Sequence, residues 1–345
     1  MTDILDFRSD TVTLPTEEMR EAMSRAFVGD DVYGEDPTVN ELQEYAAGLV
    51  GKEAALYVCS GTMGNLVSIM THCARGEGVL MGSGAHTWLN ETGNIASVAG
   101  VMPYPVDDSE GIPAPESIKA SYRVSDNVHF AHTTLLALEN THNSAGGVAI
   151  GMDRFSRTCR TARELGLSIH LDGARIFNAC AHFGVDVREY TAEVDSVQIC
   201  LSKGLAAPMG SVLCGGKEFI ERAKKVRKAL GGGQRQAGIA AAAGIIALRD
   251  MRARLGDDHR NAARLAELLA EIGLFVEPTP ARTNMVYFGL GGAPCDVVTL
   301  QERCRERGLL IGNAGGGRMR MVTHLGLDES AVERAASILK EVLNR

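Results

Sequence analysis

Between residues 54 and 215 the chain repeats one pattern that leaves few folds open. A short apolar run is followed by small or polar residues, and these by a helical stretch. Residues 54–58 run into Ser60-Gly61-Thr62 and a helical pattern over 63–73, and residues 78–81 lead to His86. Residues 134–138 end at Glu139-Asn140-Thr141-His142-Asn143, and 169–171 at Asp172-Gly173-Ala174-Arg175. Residues 197–201 end at Ser202-Lys203-Gly204. Runs of four to six residues alternating with helices predict an α/β fold, with a mainly parallel central sheet flanked by helices. In such sheets ligands bind outside the carboxyl ends of the strands, where these polar groups fall.

The remaining chain predicts a second unit. A long polar helix over 255–272 leads to strand 284–288, helix 296–307, strand 319–323 and helix 329–343, a small α+β domain. The expected division is an N-terminal segment 1–15 packing with the small domain and the active site, a large domain 16–250 and a small domain 251–345. Thr16 is placed to cap a helix through Met23, and residues 29–37 read as a polar loop without a regular element. A net charge of −8 with no basic block argues against nucleic acid. Lys224, Lys225, Arg227 and Lys228 read as a solvated helix face. Eight cysteines form no Cys-x-x-Cys pair. Together with the lack of a signal-type or spanning apolar segment, this predicts a cytoplasmic protein.

The polar clusters suit one kind of cofactor chemistry. A lysine at the end of a buried strand is easily desolvated, which favours its neutral, nucleophilic form. Lys203 is such a lysine, although on that stretch alone an amine snorkelling to water is the better reading. Gly61 and Thr62 open a helix where free N–H groups can hold a single phosphate. Asp172 is placed to face a pyridine nitrogen and His86 to lie flat on a ring. Arg320, inside an apolar strand, is a candidate clamp for a substrate carboxylate, with a structural salt bridge as its alternative. These are the parts that pyridoxal 5'-phosphate requires. No metal is expected, because the histidines lack ligand spacing apart from His129-x-x-His132, in a stretch that reads as extended.

The sequence resembles the L-threonine aldolases (the low-specificity and allo-threonine group), pyridoxal-phosphate enzymes of the aspartate-aminotransferase fold, fold type I. The resemblance runs from Phe7-Arg8-Ser9-Asp10-Thr11-Val12-Thr13 to Arg320-Met321-Val322-Thr323-His324. Between these it includes Gly29-Asp30-Asp31-Val32-Tyr33-Gly34, Cys200-Leu201-Ser202-Lys203-Gly204 and Gly231-Gly232-Gly233-Gln234-Arg235-Gln236. It implies that Lys203 forms the Schiff base, Asp172 meets the ring nitrogen and His86 stacks. Gly61, Thr62 and Ser202 would bind the phosphate, with Arg235 reaching in from a neighbouring subunit. Arg175 would touch the phenolic oxygen and, with Ser9 and Arg320, the substrate carboxylate. Tyr33 would line the pocket from across an interface, and His129 would lie near the substrate hydroxyl. A homotetramer, a dimer of dimers with sites at the tight interface, is implied as well.

The expected reaction is retro-aldol cleavage of L-threonine, L-allo-threonine and related β-hydroxy-α-amino acids to glycine and an aldehyde. A neutral imidazole near pH 7, of His86 or His129, would be the base. The rival expectations are another reaction on this fold (β-elimination, transamination or racemisation) and a non-catalytic protein that keeps it. The segment after His86 departs from the family pattern near Leu89 and at Thr92-Gly93-Asn94, on the aldehyde side. Gln234 and Gly326 depart too, where methionine and aspartate are common.

Overall fold

The chain is described by a computed structural model over residues 4–124, 126–279, 282–292 and 295–344. Residues 1–3 of the expected N-terminal segment lie outside the described residues. Seven strands make the central sheet: β1 (Ala54–Val58), β2 (Gly78–Gly82), β3 (Met102–Val106), β4 (Thr133–Glu139), β5 (Ser168–Asp172), β6 (Ser196–Cys200) and β7 (Ser211–Gly215). Their order is β1-β7-β6-β5-β4-β2-β3. Only β7 runs antiparallel to its neighbours. Apart from the edge strand β3, the strands are buried on both faces, hence their continuous apolar character.

Local rules set the helices around this sheet. Thr16 accepts the Met19 N–H to start helix Glu17–Ser24. Asp36 caps helix Pro37–Val50, with proline in its first turn and left-handed Gly51 at its end. Ser60 accepts the Met63 N–H and opens helix Gly61–His72. A buried cluster including Phe155, Tyr190, Leu136 and Ile169 packs these layers.

A second sheet is antiparallel, in the order Gly312–Gly315, Arg318–Val322, Met285–Gly289, Phe275–Val276. Its cluster gathers Leu265, Phe288, Met321 and Leu339 together with Leu5 and Phe7 from the chain's start. The short strand Leu5–Asp6 pairs in parallel with Leu309–Leu310, and the Val322 N–H donates to the Phe7 carbonyl. The N-terminal residues therefore belong physically to this unit.

Expected boundaries move by a few residues, and four readings change. Residues 29–37 contain a 3₁₀ turn, Asp31–Tyr33, which Asp30 caps through the Val32 N–H and left-handed Gly34 closes. His129 lies in a turn, where Asn127 Oδ1 accepts its N–H, and not in extended chain. Helices Pro115–Ser121, Ile176–Phe183 and Val187–Ala192 were not anticipated from the sequence pattern. Arg227 is no solvated residue. It follows Phe219 and Ala223 at four-residue spacing on the inner face of helix Lys217–Ala229, and is buried. Its Nη2 lies 2.8 Å from the buried Asp31 carboxylate, and its Nη1 donates to the Tyr57 carbonyl at 2.7 Å.

Removing one member of a buried pair leaves the other charge without compensation, at a cost of about 3–5 kcal/mol. Arg227→Ala should lose stability of that order in urea unfolding. A loss below about 1 kcal/mol, the range of exposed pairs, would show that the pair carries no such burden.

Candidate active site

The polar clusters meet where the parallel strands end. Glu139, Asp172 and Gln198 are register partners across β4, β5 and β6, so their side chains stand in one row. Asp172 is buried, and its carboxylate accepts from Asn65 Nδ2 (2.8 Å), Gln198 Nε2 (2.6 Å) and the Ala174 N–H (3.1 Å). Burial alone would raise its pKa. The positive charges of Lys203 and His86, with the amide hydrogen bonds, outweigh burial and hold it below the usual carboxylate range. Asp172 therefore stays ionised.

Lys203 is partly buried in the turn after β6, beside Ser202. The turn is closed by Ala206 N–H to the Lys203 carbonyl (2.9 Å) and Ala207 N–H to the Leu201 carbonyl (3.0 Å). Ala206 takes the left-handed conformation, φ 65°, which is unfavourable for a residue with a Cβ and marks a tightly determined turn. No ion pair engages Lys203 among the described residues, and its charge acts on Asp10, Asp172 and His86 together.

His86 opens a one-turn helix, His86–Leu89, with its backbone N–H on Glu139 Oε2 at 2.7 Å. Its Nδ1 lies 2.9 Å from Glu91 Oε1. Burial disfavours the charged ring, but the Glu91 hydrogen bond and the negative charge of Asp172 reverse this and raise its pKa. A neutral ring near pH 7 is thus less favoured than the sequence suggests, because Glu91 was not in view. One atom each from His86, Glu91 and Asp172 lies within 4.8 Å of the others. These atoms already serve hydrogen bonds to one another or to Asn65, so they read as a proton-holding network.

At the start of helix Gly61–His72 the Met63 N–H is taken by Ser60 Oγ and the Gly64 N–H by the Ser60 carbonyl. The N–H groups of Gly61 and Thr62 remain for an anion. A Cβ on Gly61 would come within 2.6 Å of Cys200 Sγ and 3.3 Å of Gln198 Nε2, so only glycine lets the helix start sit this close to β6.

On the side of the second sheet, Arg320 donates Nη1 to Asn143 Oδ1 and Nη2 to the Arg8 carbonyl, each at 3.0 Å. Both partners are neutral, so its charge has no salt bridge among the described residues and can receive a carboxylate. Arg175 is buried, with Nε and Nη2 each 2.7 Å from the Asp10 carboxylate, which leaves Nη1 for a ligand. Burial would weaken that charge, but Asp10 more than offsets it. Ser9 Oγ caps the 3₁₀ turn Asp10–Val12 through the Thr11 N–H and retains its own proton to donate.

Three expected site residues are exposed and make no hydrogen bond to the buried network among the described residues. Tyr33 and Arg235 are exposed and close together: the Asp31 N–H donates to the Arg235 carbonyl, and Arg235 pairs with Asp30 at 2.8 Å. His129 is exposed, four residues before the start of β4, and that strand alone runs about 20 Å to Glu139 at 3.3 Å per residue. Residues missed from the sequence are Asp10, Asn65, Glu91, Glu139, Asn143 and Gln198. Gln198, inside the otherwise apolar Val197–Cys200 run, and Asn65, beside Leu66 and Val67 on a mostly apolar helix, had one signal: a polar group on a buried face needs a partner.

The residues fit pyridoxal phosphate: a lysine amine without an ion pair, an ionised aspartate, a planar ring and a glycine-lined anion cradle. These elements on this topology define a pyridoxal-phosphate enzyme of fold type I. Its fold matches a threonine aldolase from Leishmania major (TM-score 0.83, 18% identity, 98% of this chain and 99% of that one). It also matches an aspartate aminotransferase from Thermus thermophilus (TM-score 0.74, 18% identity, 99% and 92%). The family model for beta-eliminating lyases matches residues 6–290. The low-specificity L-threonine aldolase of Escherichia coli K12 is 45% identical over 342 residues, 99% of this chain and all of that protein. The chain belongs to the threonine aldolase family within the beta-eliminating lyases.

The cradle gives a direct test. Gly61→Ala should weaken pyridoxal-phosphate binding by roughly tenfold, the scale of one lost charge-assisted hydrogen bond. Cys200→Ala in the same chain should recover part of the loss by making room for the new methyl group. Equilibrium titration of cofactor absorbance reads both, and unchanged affinity in Gly61→Ala would remove the helix start from the site.

Proposed function

We propose that this protein cleaves L-threonine, L-allo-threonine and related β-hydroxy-α-amino acids to glycine and an aldehyde. One observation carries the reading: Lys203 faces an ionised Asp172 and a ring-bearing His86 at the strand ends, in a chain nearly half identical to a low-specificity L-threonine aldolase. Cleavage takes a proton from the β-hydroxyl oxygen, breaks the Cα–Cβ bond and returns a proton to Cα. When bound, pyridoxal phosphate supplies an aldehyde that captures the amine and a ring that accepts the electron pair of the broken bond.

The protein's part is attachment, orientation and proton handling. Lys203 attaches the cofactor. The Gly61 and Thr62 N–H groups, with Ser202, hold its phosphate, and Asp172 holds the proton on its ring nitrogen. Arg320, Ser9 and the free Nη1 of Arg175 hold the substrate carboxylate, which fixes the bond to be broken relative to the ring. His86 would offer its ring to that of the cofactor, and its Nε2 would be the base available within one chain. Tyr33 and Arg235 serve the site from a neighbouring copy of the chain, and His129 lies near the substrate hydroxyl. The exposure of Tyr33 and Arg235 in one chain supports an assembly, read as a homotetramer built as a dimer of dimers.

The lobes divide as an N-terminal segment 1–15, a cofactor-binding lobe 16–250 and a small lobe 251–345, a division supported by the two separate apolar clusters. The substrate is a small molecule, and no helix among the described residues is long and apolar enough to cross a membrane. A cytoplasmic setting is supported by eight cysteines that are all free thiols.

Holoenzyme given L-threonine, L-allo-threonine or phenylserine should form glycine and the matching aldehyde in equal amounts. A 2-oxo acid with ammonia would instead establish β-elimination. Lys203→Ala should abolish the visible band of attached cofactor and lower cleavage by at least roughly 10³-fold, as loss of a covalent catalytic group does. Cleavage at the wild-type rate by that variant would overturn the reading.

A further inference from the structure

The geometry points to Glu91 as a positioning residue: its carboxylate holds a proton on His86 Nδ1 and thereby leaves Nε2 as the basic atom of that ring. The inference rests on the reading of His86 as the base for the β-hydroxyl.

The Glu91 side chain is fully buried, 0% exposed, a position that a carboxylate tolerates only with a compensating proton or cation. Its Oε1 receives Asn65 Nδ2 at 2.8 Å, and Asn94 Nδ2 lies 3.4 Å from Oε2. Both amides are neutral. His86, whose Nδ1 is 2.9 Å from Oε1, is the one group bonded to Glu91 that can carry positive charge. Burial and the charge of Asp172 raise the Glu91 pKa, against the lowering by its bonds from His86 and Asn65. Because amide N–H groups already donate to Oε1 and Oε2, the group is placed as an acceptor, and the proton between it and Nδ1 is assigned to the imidazole. In the neutral ring a single proton at Nδ1 leaves the lone pair at Nε2, whereas the charged ring is protonated at both and has none.

The surroundings keep this arrangement in place. Asn65 uses the same Nδ2 for Asp172 at 2.8 Å, so a donor stands between the two carboxylates, and His170 Nε2 lies 3.1 Å from Asn65 Oδ1. The turn after Glu91 is closed by two left-handed residues, Thr92 (φ 58°) and Gly93 (φ 66°), a conformation rarely taken by a β-branched residue. The charged groups facing the ring are Glu91, Asp172 from the end of β5, Lys203 from the turn after β6, and Glu139 from the end of β4 through the His86 N–H. The carboxylates favour the protonated ring; Lys203 and burial oppose it, and the balance is a raised pKa.

A base is lost as the pH falls through its pKa, so removing the Glu91 charge should lower that pKa and move the acid limb of kcat/KM to lower pH. Glu91→Gln keeps the shape and the acceptor oxygen. In holoenzyme labelled with ¹⁵N-histidine, His86 (assigned by its absence in His86→Phe) should titrate about one unit lower in Glu91→Gln, the scale of a nearby charge. The acid limb should move with it, and kcat should fall by roughly tenfold or more with little change in KM. Glu91→Asp, which keeps the charge at shorter reach, should fall between the two, and it serves as the test if Glu91→Gln does not fold. A His86 titration unmoved in Glu91→Gln, or a wild-type ring protonated at Nε2, would overturn the inference. If the His86 titration moves while the rate profile does not, Glu91 holds the proton as inferred, and the assignment of His86 as the base is what falls.

Discussion

The site is built around one buried negative charge. Asp172 cannot be hydrated, and an uncompensated ion in such a place costs several kcal/mol. Three hydrogen bonds to it, from Asn65, Gln198 and the Ala174 N–H, are each worth about 1.5–3 kcal/mol when the acceptor is charged. Together with the positive charges of Lys203 and His86, they are enough to keep it ionised. Two of these groups are shared with a second carboxylate: Asn65 also reaches Glu91, and His86 Nδ1 lies against it.

The same logic links the two lobes. Asp10, carried on a segment packed with the small lobe, is paired through both oxygens with Arg175 of the large lobe, and Asn284 of the small lobe donates to it at 3.2 Å. Glu139, at the end of β4, accepts the backbone N–H groups of His86 and Asn143, and Asn143 in turn accepts from Arg320. One carboxylate thus couples the turn that carries His86 to the guanidinium of Arg320. The parallel sheet makes this possible, since it brings the ends of β1, β2, β4, β5 and β6 to one edge.

The sheet was legible because its strands are continuous apolar runs bounded by small and polar residues. Lys203, Asp172, His86 and Gly61 stand directly after strand ends, where position in the chain becomes position in the site. What escaped the sequence depends on side-chain direction across long separations. Asp10 and Arg175 are 165 residues apart, and Asn65 and Asp172 are 107 apart. No periodicity encodes such pairs. Arg227 was misread because composition outweighed its place in the Phe219-Ala223-Arg227 line. The two-residue strands Leu5–Asp6 and Leu309–Leu310 are too short to show alternation. Tyr33, Arg235 and His129 rest on family resemblance, and in one chain all three are exposed.

If the charge of Asp172 is what the arrangement serves, its removal should separate binding from chemistry. Asp172→Asn keeps the size of the side chain, and the phosphate cradle and Lys203 remain in place. The decisive measurement is kcat for L-threonine cleavage in that variant at measured, saturating cofactor occupancy. The account predicts retained cofactor with kcat lowered by roughly 10²-fold or more, the scale of a lost preorganised electrostatic contact. Full occupancy with kcat within a few-fold of wild type would contradict it.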